Sequence, residues 1–138
     1  MADHLTLFAT ELDVRFPANL LRARQFYRES PEASDNETAF RDGFDLNVDE
    51  CPGEYRLRIS ASQSGDTGAV IRFVRRCAQE FGLTGPWGFE WAHVCTKPML
   101  HSFGGGALVL DLTTGDTLAW NDTHGWLVRQ LAKAGRKS

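Results

Sequence analysis

A chain of 138 residues with 42% apolar content can bury its own core as one domain, without help from a metal or a disulfide. Its net charge of −3 argues against a globally basic nucleic-acid binder, so direct nucleic-acid binding is not expected. No apolar run reaches the roughly 18 residues of a membrane span, and the start Met-Ala-Asp-His-Leu-Thr lacks a basic, apolar leader, so the expected location is cytoplasmic with no membrane partner.

In chain order, Leu5–Val14 alternates, with Leu5, Leu7 and Ala9 on one side, and predicts a strand. Pro17 suits a first helical turn, and Leu20, Ala23 and Tyr27 recur at helical spacing to about Arg28. Residues 29–42 read as a loop-like acidic segment broken by Pro31, Asp35 and Asn36. Nine of the 18 acids fall within 29–54, where Arg41 is the only base, so the molecule has one acidic side. Gly43–Val48 and Tyr55–Ala61 both alternate with period two and flank the turn residues Cys51-Pro52-Gly53. They predict an antiparallel hairpin in which Arg56 and Arg58 pair with Asp45 and Asp49.

Asp66 caps the clearest helix, where Val70, Phe73, Val74, Cys77, Ala78 and Phe81 form a full apolar stripe and Gly82 supplies the stop. Trp87–Thr96 reads as a strand. Leu108–Leu112 and Thr117–Trp120 read as a second hairpin turned by Thr113-Thr114-Gly115-Asp116. Asp122 or Thr123 opens a last helix to about Lys133, with Trp126, Leu127, Gln130, Leu131 and Ala134 on one side, before a frayed end at 135–138. The order β-α-β-β-α-β-β-β-α predicts a single α+β domain over 1–138. Its mixed or antiparallel sheet has five to six strands, with about three helices packed mainly on one face. A ferredoxin-like arrangement is one option for that order.

Residues 85–106 concentrate the chemistry-bearing side chains. Alternation places Trp87, Phe89, Trp91, His93 and Cys95 on one face of a strand, with Glu90 on the other, so Glu90 does not orient His93. His93 and Cys95 could approach each other, but no third group or oxyanion hole accompanies them, and no catalytic residue is assigned. His93, His101 and His124 lack the spacing that sets two metal ligands on one helix face. The three cysteines, Cys51, Cys77 and Cys95, contain no C-x-x-C pair, so neither a metal nor a cofactor is assigned. Gly104-Gly105-Gly106 precedes a strand-like run, not a helix, and suits close backbone packing under a tryptophan better than phosphate binding.

The run Trp87-Gly-Phe-Glu-Trp-Ala-His-Val-Cys-Thr-Lys-Pro, followed by Ser102-Phe-Gly-Gly-Gly-Ala, resembles a group of short proteins carried by bacterial phages, plasmids and other mobile elements. The likeness covers about residues 55–130. It rests on a Trp-x-x-x-Trp-Ala-x-x-Cys-x-Lys-Pro strand, a Phe-Gly-Gly-Gly-Ala corner and a tryptophan-bearing final helix. It implies an accessory gene product, and it supplies no catalytic residues.

Together these readings lead to the expectation of a non-enzymatic binding protein acting on a protein partner, such as one of the host. Two groups of residues are candidates for the binding surface: Trp120, His124 and Trp126, and the acids Asp42, Asp45, Asp49 and Glu50. The alternative is a small-molecule or catalytic pocket near Trp91, His93, Cys95 and His101. A homodimer joined through exposed sheet or tryptophan surface is a third option.

Overall fold

A computed structural model describes residues 3–30, 38–51, 53–100 and 102–136, with 49–51 described through their backbone alone. Six strands form one fully antiparallel sheet: β1 (His4–Asp13), β2 (Asp45–Cys51), β3 (Glu54–Ala61), β4 (Pro86–Cys95), β5 (Gly104–Asp111) and β6 (Thr117–Asp122). Their order across the sheet is β2-β3-β1-β4-β5-β6. Four helices complete the α+β domain: α1 (Pro17–Arg28), α2 (Phe40–Gly43), α3 (Thr67–Phe81) and α4 (Thr123–Gly135).

The first four strands with α1 and α3 make a β-α-β-β-α-β unit in which β3 and β1 lie between β2 and β4. This is the split β-α-β arrangement of ferredoxin-like folds. The β5–β6 hairpin and α4 extend that unit along one side.

Local chemistry explains the elements. Asp66 accepts from the Ala69 amide and caps α3, and Gly82 closes the helix at φ 64°, a left-handed conformation that glycine adopts without strain. The α3 stripe Val70, Phe73, Val74, Cys77 and Ala78 is buried on the sheet. Phe73 sits at its centre, with ring centroids 5.3 Å from Phe40 and 5.2 Å from Phe44. On β1, Phe8 and Leu12 face this core, joined by Leu57 and Ile59 of β3, Phe89 of β4, and Leu108 and Leu110 of β5. Leu20, Ala23 and Phe26 bring α1 onto the same face. The Tyr27 hydroxyl donates to the Phe44 carbonyl oxygen at 2.6 Å, and burial pushes its pKa up.

Several expectations change in detail. A single helical turn, α2, occupies 40–43 inside the segment read as a loop, and β2 begins at Asp45 instead of Gly43. The Ser30 hydroxyl accepts from the Phe40 amide at 3.0 Å, and Arg41 donates to the Ser30 carbonyl at 2.7 Å, which ties that turn to the end of α1. Residues 31–37 of the acidic segment lie outside the described residues. In the β2–β3 hairpin, Asp49 lies across from Arg56, but Asp45 lies across from Ser60 and Arg58 from Asn47. Arg56 forms ion pairs with Glu11 at 3.3 Å and Glu54 at 3.7 Å.

Candidate functional site

The β4 aromatics face the helix-bearing side of the sheet. Trp87 and Trp91 flank the buried Phe89 with ring centroids 5.4 and 5.3 Å away, and the Trp87 indole N–H donates to the Glu11 carbonyl at 2.8 Å. The three glycines are the first three residues of β5 and not a corner, and they pair with His93, Ala92 and Trp91. A Cβ on Gly106 would come within 2.6 Å of Trp91 Cζ2, so the glycine is what lets the indole lie over β5.

The open face of the sheet presents Glu11, Arg56, Arg58 and Glu90 together with Ala9, Ala92, Ala107 and the apolar Leu5, Leu7, Val94 and Val109. By strand alternation, none of its described residues is aromatic, so it offers no platform for stacking bases.

His93 lies near the end of β4, on the same face as Trp91. A cavity of about 430 Å³ there is lined by His4, Thr6, His93, Ser102, Asp122 and His124, with Phe103 on its rim. Thr6 Oγ1 lies 3.0 Å from His93 Nδ1 in a hydrogen bond across β1 and β4. Cys95 is half-buried at the end of β4 across from His4, and Trp91 packs against the core, so neither lines this cavity. His101 lies outside the described residues. His4 and His124, which sequence spacing did not link to His93, are brought beside it by the pairing of β1 with β4 and of β5 with β6. Among the described residues, no three histidine, cysteine, aspartate or glutamate side chains are grouped to hold a metal ion.

The largest departure from a closed domain lies at β6 and α4. Asp122 caps α4 by accepting from the Gly125 amide, and Thr123 Oγ1 donates to the Gly105 carbonyl at 3.4 Å, so the helix is anchored at its start. Beyond that start α4 buries none of its residues. Trp126, Leu127, Val128 and Leu131 are each about half exposed or more, and on β6 Leu118 and Trp120 are 59% and 65% exposed. Among the described residues, nothing buries the amphipathic stripe predicted for this helix.

The candidate surface residues divide into two groups. Trp120 and Trp126 belong to the apolar β6–α4 face, and His124 lines the adjoining cavity. Asp45, Asp49 and Glu50 lie on β2 at the opposite edge of the sheet, five strand spacings or roughly 24 Å away, with Asp42 on α2 beside it. The two groups therefore sit at opposite edges of the sheet.

No protein-family model, curated protein or solved structure matches this chain. Among the described residues, no helix is long and apolar enough to cross a membrane.

Proposed function

We propose that this protein is a binding protein that works by docking the β6–α4 face onto another protein. The observation that supports this reading most is the run of exposed apolar side chains Leu118, Trp120, Trp126, Leu127, Val128 and Leu131 on one strand and the helix that follows it. Their exposed area is on the order of 600 Å², at the upper end of what monomeric proteins leave bare. Tryptophan in such a patch is a favoured anchor, because it buries a large rigid surface at little entropic cost. The resemblance to proteins of mobile elements is the support for an accessory role.

Capture on the immobilised chain tests the proposal. A specific partner should be retained by the wild type at both low and high salt, because the contact is apolar, and lost with Trp120→Glu. Equal retention by the variant would refute the face.

A second reading rests on the cavity at the end of the sheet. His4, His93 and His124 converge there with Thr6 and Ser102 around a space large enough for a small metabolite. A thermal-shift screen against metals, nucleotides and metabolites tests it. Stabilisation by one ligand, lost on His93→Ala with the fold intact, supports this reading, and no shift with any compound removes it.

A further inference from the structure

We infer that the partner on the β6–α4 face is a second copy of this chain, an inference that rests on the docking-face reading above. Three observations lead there.

The first is the contrast between the two sheet edges. Edge strands invite pairing with other strands unless charge, proline or shortness guards them. The β2 edge carries Asp45, Asp49 and Glu50 within seven residues. The β6 edge, Thr-Leu-Ala-Trp-Asn-Asp, has no lysine, arginine or proline, and its one charge, Asp122, is engaged in capping α4. Among the described residues, no strand pairs with its outer side. Leu118 is the extra residue where the β5–β6 register shifts, a bulge that guards the start of the edge and leaves Ala119–Asp122 as the stretch open to pairing.

The second is self-complementarity. An isologous contact sets a patch against itself, so a patch rich in one sign of charge is excluded and an apolar one is favoured. Among the apolar positions of this face the described cations are Arg129, which donates to Asn121 Oδ1 at 3.4 Å, and Lys133 in the last turn of α4. A net charge of −3 keeps the repulsion between two copies small.

The third is area. On the order of 600 Å² of apolar surface from each copy, with the polar rim added, approaches the roughly 800 Å² per partner of a standard stable interface. The polar rim has to supply the remainder of a dimer contact.

Sedimentation equilibrium of the full chain over a wide concentration range tests the inference. The wild type should reach twice the monomer mass of 15.4 kDa, and Trp120→Glu and Leu131→Glu should each stay at the monomer mass with an unchanged circular dichroism spectrum. Arg24→Glu, on α1 and away from the face, should dimerise like the wild type. If a glutamate variant fails to fold, Leu118→Ser trims the face without adding charge and should weaken the dimer at least tenfold. A wild type that stays monomeric at every concentration overturns the second copy, while partner capture through Trp120 would still support the docking face. A dimer that persists in the variants also overturns the inference, because the contact then lies elsewhere.

Discussion

The indole of Trp91 lies against Gly106, so close that a Cβ at that glycine would sit 2.6 Å from Cζ2 of the ring. The same glycine faces the Asn121 carbonyl of β6, where a Cβ would also come within 2.6 Å. This one position therefore spaces β4, β5 and β6 together. Gly106→Ala should cost about 1–3 kcal/mol, the usual range for overpacking, and lower the midpoint of thermal unfolding by several degrees. Gly135→Ala, where a Cβ meets nothing within 4 Å, is the control and should change stability little. Equal midpoints for the two variants would show that the indole can move aside freely.

Phe73 joins α3 to α1, α2 and the start of β2 through its contacts with Tyr27, Phe40 and Phe44. Phe73→Ala should destabilise the domain by about 3–5 kcal/mol, because it removes the transfer free energy of a buried ring and leaves a cavity. Phe73→Leu should cost less than half of that. Urea unfolding of the three proteins measures the difference.

Burial pushes the Cys77 thiol up to about 12 from an ordinary value of 9.0. In the unfolded chain the thiol ionises near its ordinary value, while the folded protein keeps it protonated. The contribution is therefore fully present below about pH 9 and is lost as pH rises towards 12, by up to about 1.4 kcal/mol per pH unit. Tyr27, also raised by burial, adds loss in the same direction. Comparing wild type with Cys77→Ala across that window isolates the thiol: the variant should show the shallower slope. In the native state iodoacetamide should spare Cys77 and reach the half-buried Cys95.

Asp122→Ala releases the Gly125 amide and should cost α4 about 1 kcal/mol. Because α4 contributes nothing to the core, the loss should be local. Amides of Thr123–Gly135 should exchange faster while those of α3 hold their rates, whereas uniform acceleration would mean that α4 supports the whole fold.

The helices and strands of this chain were largely legible because each repeats its period over many residues. The α3 stripe and the alternation of β4 are the clearest cases, and caps at Asp66, Asp122 and Gly82 set the ends. Strand order was not legible, because pairing between distant segments leaves no periodic trace. That is why His4 and His124 could not be placed beside His93. Alternation did not mark Trp120 as exposed, because Trp120 and the packed Phe89 both lie across from Leu108 and share a face; position beside residues 121–125 is what singled out Trp120 and Trp126. Phe103, also half exposed, carried no such signal. The α4 stripe shows the remaining limit. Amphipathic spacing says that a helix has an apolar face, and not whether the cover comes from its own chain or another.

Amide hydrogen exchange at low and high protein concentration tests the central claim most directly. Protection should rise with concentration over Thr117–Leu131 and stay constant over β2 and β3. Unchanged exchange across β6 and α4, in a sample whose mass has doubled, would contradict it.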